Sequence, residues 1–473
     1  MIHYLRYCCA MFFALFGFLL ATPLSAQAQP REAYVSQSED KTTLTFYYDA
    51  LRSTRTGTTW EIMEYSSENK IYPAWAGTWD WADKTTTRVV FDASFRDFRP
   101  TTTATWFFRC NALKQIEGLE YLNTSEVKDM SSMFYDCQAL TSIDLKHFNT
   151  KNVTDMSWMF CDCVALTSLD LKNFDTKNVT KMGSMFAGCA ALTSLDLKNF
   201  DTKNVTKMGS MFAGCAALTS LDLKNFDTKN VTDMSWMFYV CSALTSLDLK
   251  NFDTKKVTDM SWMFYGCAAL TSIDLKNFDT ENVTDMSWMF YGCAALTSID
   301  LKNFDTKKVA KMGSMFAGCA ALTSINLKNV NTKKVTDMSW MFYDCAALTS
   351  IDLKSFNTKN VADMAVMFRG CSALNSLDLQ HFNTKNVTDM SLMFFDCAAL
   401  TTIYCNTTWQ CRASEKMFAG CTKLKGAVAY NKNKVDAKMA NPKTGYFTAK
   451  PTMVERNRRR AAHLPTARKR GAW

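Results

Sequence analysis

Apolar residues recur along this chain with a period of 26 residues. The segment LTSLDLKNFDTKNVTKMGSMFAGCAA occupies 166–191 and recurs unchanged at 192–217. A cysteine marks the same position in successive units: Cys137, Cys163, Cys189, Cys215, Cys241, Cys267, Cys293, Cys319, Cys345, Cys371 and Cys397, with Cys110 and Cys421 in imperfect terminal copies. A period of roughly 20 to 50 residues is typical of a solenoid, in which each unit buries its apolar face by stacking on its neighbours.

Two kinds of spacing follow one another within the unit at 166–191. The segment Leu169-Asp170-Leu171-Lys172 alternates apolar and charged residues, which predicts a strand with its leucines inward, and Phe174 follows as a further inward anchor. After a polar turn, apolar residues recur at helical spacing, namely Val179, Met182, Phe186 and Cys189. Because the segment is short, a 3₁₀ or irregular turn of helix is an alternative. The pattern predicts an α/β repeat solenoid with one short parallel strand plus one short helical turn per 26-residue unit.

The flanking regions do not repeat. Residues 31–100 contain three segments rich in Thr, Tyr, Phe, Val and Ile, which predict a small β-rich N-terminal cap. The solenoid is expected over 101–425, in about 13 units, and a C-terminal cap over 426–447. A cap is expected because an open solenoid end exposes unpaired strand edge and apolar core.

Residues 1–28 have the pattern of a secretory signal peptide. Arg6 precedes an apolar run from Cys8 to Leu20, and Ala26-Gln27-Ala28 supplies a small-x-small cleavage site. The alternative, a transmembrane span, needs about 20 apolar residues, and the run is shorter. The sequence therefore predicts an exported protein, secreted or held at the cell surface, with no transmembrane span.

The net charge of +9 is concentrated near the C-terminus. The segment 448–473 carries a block of basic residues, namely Arg456, Arg458, Arg459, Arg460, Arg468, Lys469 and Arg470. Such a block is typical of a disordered solvated tail, and the alternative is an electrostatic contact for an anionic surface polymer or lipid. Nucleic acid is not an expected partner of an exported protein.

The chain has 18 cysteines, which in an exported protein usually indicates disulfides. Side chains at one register of a stacked repeat point the same way, so bridges between neighbouring units have poor geometry. We interpret the register cysteines as small buried residues of a core ladder. Cys405 and Cys411 break the register and are the best disulfide candidates.

The repeat units quoted above resemble those of the BspA-like leucine-rich-repeat surface proteins, a family with 26-residue repeats. The resemblance covers about 101–447, including Trp106-Phe107-Phe108-Arg109-Cys110 at the start and Gly445-Tyr446-Phe447 at the end. It implies a leucine-rich-repeat-like solenoid in an exported protein that adheres to host matrix proteins and other cells. The family has no catalytic motif to carry over to this chain.

Candidate chemistry is sparse. Only His147, His381 and His463 remain after the predicted leader, without zinc-type spacing, a phosphate-binding glycine loop or a nucleophile elbow. One aspartate column could be imagined as calcium ligands (Asp144, Asp170, Asp196, Asp222, Asp248, Asp274 and Asp300), but a lysine follows each two places later and supplies the neutralising charge. We expect no enzyme activity, no cofactor and no metal.

The second half of the unit occurs in two versions, DMSWMFYGC and KMGSMFAGC. The first places aromatic residues at two registers: Trp158, Trp236, Trp262, Trp288 and Trp340, with Tyr239, Tyr265, Tyr291 and Tyr343 three places later. On a helix wheel both registers face away from the apolar stripe, which predicts an outer Trp/Tyr strip. Such a strip favours a contact surface for proteins or self-association. The alternatives are a sugar-stacking platform and rings that merely cover the adjacent turn.

The sequence thus favours an adhesin-like binding protein with multivalent protein–protein contact. The expected partners are extracellular matrix or cell-surface proteins, with polysaccharide capture or a self-associating structural layer as alternatives. The motif Asn-Val-Thr is a glycosylation sequon and recurs at Asn152, Asn178, Asn204, Asn230, Asn282 and Asn386. Because the motif follows from the repeat, whether these asparagines carry glycans stays open.

Overall fold

The computed structural model describes residues 29–63 and 72–450 of the chain. The predicted signal peptide lies outside the described residues, as does the basic segment from 451 to 473. Helical structure within the described ranges is limited to four short 3₁₀ segments, Arg52–Thr54, Ala93–Asp97, Leu119–Tyr121 and Ala437–Met439. No helix in these ranges is long and apolar enough to cross a bilayer.

A five-stranded sheet covers the N-terminal end. Its strands are β1 (Glu32–Gln37), β2 (Thr43–Asp49), β3 (Thr58–Glu61), β4 (Arg88–Phe91) and β5 (Gln115–Glu117), in the order β3-β1-β2-β4-β5. β1 pairs antiparallel with β2 and β3, whereas β2–β4 and β4–β5 are parallel. Because β5 lies beyond residue 100, the sheet runs from the predicted cap into the first repeat unit. Phe46 stacks on Trp106 at 5.4 Å between ring centroids, which joins the two cores.

In most repeat units the predicted strand segment is not a regular strand, but its leucines point inward. Leu169 and Leu171 are 8% and 1% exposed. Regular strands form at β6 (Ser298–Asp300), β7 (Ser324–Asn326), β8 (Ser376–Asp378) and β9 (Thr402–Tyr404). β6 pairs parallel with β7, and β8 with β9, in the register that stacks one unit on the next.

The second half of the unit is not a regular helix but a chain of tight turns, which is nearer to the irregular alternative that its short length offered. In the unit at 182–189, alternate backbone N–H groups donate to the next unit, from Ser184 to Gly209, from Phe186 to Met211 and from Gly188 to Ala213. The N–H groups between them close tight turns to the carbonyl three residues back, as from Met185 to Met182. These turns place the same side chains on one face as a helix would, so the spacing alone does not distinguish the two structures.

The backbone conformation explains why no helix forms. Ser184 and Gly188 have φ of 56° and 72°, and the equivalent residues of every other unit are also left-handed. A left-handed residue every fourth position interrupts a right-handed helix. The N–H groups that a helix would use internally are therefore satisfied by the neighbouring unit, which binds the units together.

The interior is a set of columns with one residue from each unit. Val179, Met182, Phe186 and Cys189 are fully buried, as predicted. Rings of the phenylalanine column stack, with Phe316 and Phe342 at 5.7 Å. The cysteine column is confirmed as a core ladder, because each thiol donates to a phenylalanine carbonyl of the preceding unit, as from Cys163 Sγ to Phe134 O at 3.1 Å. Burial raises the pKa of the Cys163 thiol to about 12.

Polar columns hold one corner of the solenoid. The buried Thr176 hydroxyl donates to the Asp201 carbonyl at 2.9 Å and accepts from the Asp201 N–H at 2.8 Å. The amide of Asn178, one of the sequon asparagines, donates to the Lys151 carbonyl at 2.8 Å. The Asn-Val-Thr motif therefore has a structural use in stacking the units, whether or not it carries a glycan.

The C-terminal end is closed by a strand and a loop. β10 (Phe447–Thr448) pairs parallel with β9, and Tyr446 and Phe447 are fully buried. The Tyr446 hydroxyl donates to the Lys434 carbonyl at 2.8 Å, which fixes the preceding loop. These contacts cover the apolar end of the last unit.

Candidate functional site

Three successive units place a tryptophan at a left-handed backbone position. Trp236, Trp262 and Trp288 have φ of 61°, 61° and 62°, and their side chains are partly exposed. The tight turns on either side fix this position at the surface, because the neighbouring Met and Phe columns point into the core. The predicted outward orientation of the tryptophans thus arises from a chain of turns instead of a helix.

The three indoles stack on one another. Ring centroids of Trp236 and Trp262 are 4.6 Å apart with 9° between the planes, and those of Trp262 and Trp288 are 4.8 Å apart with 6°. Tyr239, Tyr265 and Tyr291 form a second stack beside them, at 4.9 and 4.6 Å. We call these six residues the aromatic ladder.

Stacking determines which parts of the rings are available. Both faces of Trp262 are covered by other indoles, and its own tyrosine, Tyr265, lies 4.9 Å away. The ladder consequently presents ring edges at its centre. Its two ends border units with Ser210 and Ser314 at the tryptophan position, where the backbone is the same and no ring is present.

The remaining predicted aromatics lie outside the ladder. Trp340 is 37% exposed and contacts Tyr343 at 4.9 Å, and the Arg369 guanidinium lies 5.5 Å from the Tyr343 ring. Trp158 is 42% exposed and lies 5.8 Å from Tyr135. The structure therefore does not join all nine predicted residues into one strip.

The structure also contains an N-terminal aromatic cluster that the sequence analysis did not predict. Phe108 and Tyr135 stack at 4.7 Å, and Trp79, 49% exposed, packs edge-on against both. Phe108 and Tyr135 occupy the register of Tyr239, so the repeat period could have found them. Trp79 comes from the non-repeating segment, where no period indicates its place.

One charge pair recurs along the solenoid, between an aspartate and the lysine two places later. Asp274 Oδ2 lies 2.9 Å from Lys276 Nζ, and this hydrogen bond lowers the pKa of the carboxyl group. The same pairing recurs along the predicted column, which agrees with a zwitterionic face. No group of His, Cys, Asp or Glu suited to a metal ion occurs within 29–63 and 72–450.

A second aspartate column lies at the start of the tight turns. Asp363 accepts from the Ala365 N–H at 2.8 Å. Burial, followed by the neighbouring carboxylates of Asp337 and Asp389, raises the pKa of Asp363. Stacking at one register thus brings like charges together where no lysine intervenes.

The disulfide predicted between Cys405 and Cys411 is not formed in the structure, which has both residues as free thiols. Cys405 is buried, with its Sγ 3.3 Å from the Thr407 hydroxyl, whereas the Cys411 Sγ donates to the Ala413 carbonyl at 3.0 Å. The two side chains are held by different local partners, and sequence spacing gave no information on their directions.

Four overlapping segments, 101–221, 162–267, 236–349 and 320–432, match a protein family described as "Mycoplasma protein of unknown function, DUF285". Together they span more than half of the 473-residue chain. The chain belongs to the DUF285 family. The family resemblance stated from the repeat, to leucine-rich-repeat proteins of the BspA-like type, is confirmed. No curated protein matches the sequence.

Solved structures also resemble this DUF285 chain. A leucine-rich repeat protein from Bacteroides ovatus is 18% identical, with 89% of this chain and 98% of that chain covered and a TM-score of 0.50. A leucine rich cell surface protein from Faecalibacterium prausnitzii is 17% identical, covering 80% and 93%, with a TM-score of 0.31. The likeness to the Bacteroides structure supports the leucine-rich-repeat-like fold of this DUF285 member.

Proposed function

We propose that this DUF285 protein is exported to a cell surface and binds proteins of the host matrix or of partner cells through the aromatic ladder. The observation that supports this function most is the row of three stacked, partly exposed indoles at positions where other units have serine. Export rests on the leader pattern of residues 1–28. The proposal includes no catalytic step, cofactor or nucleic acid.

The fold does not require the ladder. Units with Ser184, Ser210 and Ser314 have the same left-handed backbone and the same buried columns. Bulky residues such as tryptophan rarely adopt the left-handed backbone conformation. This conformation costs about 1–2 kcal/mol for any residue with a Cβ. An aromatic surface that the fold does not need is typical of an interaction site, where Trp and Tyr are favoured anchors.

Ring geometry favours a protein over a sugar at the centre of the ladder. A sugar stacks on an open ring face, and both faces of Trp262 are covered. Ring edges and tyrosine hydroxyls suit the mixed apolar and polar contacts of a protein interface. Contacts in successive units also add up, which raises the effective affinity of weak individual contacts.

Polysaccharide capture is a second candidate at other positions. Two tryptophans of the predicted strip, Trp158 and Trp340, are 42% and 37% exposed. Neither of them stacks on another tryptophan within the described ranges. Their open ring area is the kind of surface on which a sugar can stack. Self-association through the same ladder is a third possibility that the test below distinguishes.

The chain supplies its own control sequence for the test. A ladder variant replaces Trp236, Trp262 and Trp288 by Ser and Tyr239, Tyr265 and Tyr291 by Ala, the residues of the KMGSMFAGC units. A matched control makes the same replacements at Trp340 and Tyr343. Binding of both variants and of the parent chain is measured against extracellular matrix proteins and neutral polysaccharides at low and high salt, with light scattering for self-association.

We expect the parent to bind a protein of the panel in a saturable, salt-resistant way, the ladder variant to lose that binding, and the control to retain it. Unchanged binding by the ladder variant would exclude the ladder as the contact surface. Binding to polysaccharides alone, lost in the control variant, would support sugar capture instead. Concentration-dependent assembly that disappears in the ladder variant would identify self-association.

A further inference from the structure

The threonine column of the polar corner ends at Thr384. From Thr124 to Thr358, each threonine of the column donates its hydroxyl to the carbonyl 25 residues on, as Thr358 does to Asn383 at 3.0 Å. The Thr384 side chain is 8% exposed, yet its hydroxyl makes no hydrogen bond within the described ranges. The column therefore leaves a nearly buried hydroxyl available at its end.

The cause is a shortened unit. Cys421 follows Cys397 by 24 residues instead of 26. Trp409 of this unit stacks on Phe382 at 6.2 Å, and its N–H donates to the Ala440 carbonyl of the C-terminal cap at 2.9 Å. A cavity of about 680 Å³ that is open to solvent lies at this corner, compared with about 360 Å³ for a similar cavity beside Asn303.

The cavity is lined mainly by polar side chains, including Gln380, His381, Thr384, Lys385, Thr408 and Gln410. The Gln380 amide nitrogen is buried and has no hydrogen-bond partner within the described ranges. In most other units the residue after this position is an asparagine that donates to the preceding unit, as Asn303 does to Lys276 at 2.7 Å. His381 replaces that asparagine, so the corner has donors that the stack does not use.

The charge of this corner also changes towards the C-terminus. Each unit from Asp175 to Asp305 has an aspartate at the corner turn, and Asp305 pairs with Lys307, two places later, at 2.9 Å. In the last three full units the aspartate is replaced by Asn331, Asn357 and Asn383. The asparagine retains the turn, because Asn383 Oδ1 still accepts from the Lys385 N–H at 3.1 Å. The turn is kept and its negative charge is removed.

The lysines that follow, Lys333, Lys359 and Lys385, are exposed and stand at one register. Successive units of a parallel stack are about 4.8 Å apart. The three lysines thus form a positive row that leads to the cavity at Lys385. A row of cations ending at unused hydrogen-bond donors is suited to an anionic ligand rich in acceptors.

We propose that this corner binds an acidic polysaccharide, with one uronic acid residue in the cavity. Its carboxylate contacts Lys385, its hydroxyl groups accept from the Thr384 hydroxyl, and the following sugar residues run along Lys359 and Lys333. The site shares no residue with the aromatic ladder and does not depend on the function proposed for it.

The test is a calorimetric titration of the chain with trigalacturonic acid, and with maltotriose as the neutral trisaccharide. The informative variant is Asn383→Asp, which introduces the residue that the units from Asp175 to Asp305 carry and retains the acceptor of the turn. The matched control is Asn149→Asp, at the same register between full-length units, where Asn149 Oδ1 accepts from the Lys151 N–H at 3.1 Å. Both variants add one negative charge, so they change the net charge of the chain equally.

We expect trigalacturonic acid to bind the parent chain and maltotriose not to bind. Asn383→Asp should weaken binding by about tenfold or more through charge repulsion at the site, and Asn149→Asp should leave it unchanged. Thr384→Val, which removes the hydroxyl with little change in shape, should weaken binding at an unchanged melting temperature. Equal weakening by the two aspartate variants, equal binding of maltotriose, or no binding by the parent chain would each overturn the proposal.

Discussion

The indole of Trp262 lies parallel to that of Trp288, with ring centroids 4.8 Å apart and 6° between the ring planes. Both residues have a left-handed backbone, and Ser314, at the same position of the following unit, has the same conformation. The stack is consequently a property of the side chains, which the repeat brings to one register in successive units. This geometry allows the contribution of the rings to be separated from that of the backbone.

Replacing Trp262 by Ala should lower the free energy of unfolding by about 1–3 kcal/mol, because two stacking contacts are lost at about 0.5–1.5 kcal/mol each. Urea unfolding followed by circular dichroism measures the change. Trp158→Ala is the control, since Trp158 is 42% exposed and its nearest ring is Tyr135 at 5.8 Å. Equal losses in the two variants would show that stacking within the ladder adds no stability.

Two glycines at one register should respond differently to substitution by alanine. Gly292 and Gly370 have φ of 69° and 72°, so both variants carry the left-handed cost of about 1 kcal/mol. A Cβ on Gly292 would lie 3.7 Å from the Gly266 Cα, whereas one on Gly370 would overlap Asp344 Oδ1. Gly370→Ala should therefore be the more destabilising variant, by about 1 kcal/mol or more, in thermal or urea unfolding.

The double variant Asp344→Gly with Gly370→Ala provides the check. Glycine is the residue that many units carry at the position of Asp344. Removing the Asp344 carboxylate should reduce the destabilisation caused by alanine at position 370 to that caused by Gly292→Ala. If the double variant is as unstable as Gly370→Ala alone, the predicted overlap is not the cause.

Asp363→Asn should stabilise the protein at neutral pH. Burial and the nearby Asp337 and Asp389 carboxylates raise the pKa of Asp363 above its unfolded value of about 3.9. A raised pKa means that the folded state binds the proton more tightly, so the parent chain loses stability as pH rises from the unfolded pKa through the folded pKa. The asparagine avoids this loss and can still accept from the Ala365 N–H. Melting temperatures should differ above that window and converge well below pH 3.9.

Asp274→Asn is the control of opposite sign. The Lys276 ammonium lowers the pKa of Asp274, so its contribution to stability is present above the unfolded pKa and is lost as pH falls. This variant should be slightly less stable than the parent at neutral pH and equal to it in acid. The same direction of change in both aspartate variants would contradict the assigned electrostatics.

Thiol labelling should find one accessible cysteine in a chain without residues 1–28. Of the sixteen free cysteines in the described ranges, fifteen are buried, and Cys411 is partly exposed. Burial raises the pKa of register thiols such as Cys163, to about 12, and suppresses the reactive thiolate. Native protein should therefore react at Cys411 first, and Cys411→Ser should remove that fast phase. A chain without a fast-reacting thiol would instead indicate that Cys411 is paired.

The repeat itself determined much of the fold. Identical units cannot each form a separate core, so the period predicts stacking, and apolar residues at fixed registers predict the columns now seen at Met182, Phe186 and Cys189. The outward position of Trp236, Trp262 and Trp288 followed from the same registers. These features depend on which residues share a face, and the spacing of residues along the sequence determines this.

The tertiary structure decided the features that depend on neighbours in space. A helix and a chain of tight turns have similar spacing, and stacking selects the turns because the N–H of Ser184 then finds the Gly209 carbonyl of the next unit. The partners of Cys405 and Cys411 and the mutual stacking of the indoles likewise depend on three-dimensional direction. The cavity at Thr384 lies beside the one shortened unit, where the hydroxyl column of the longer units ends, and this consequence depends on how neighbouring units stack.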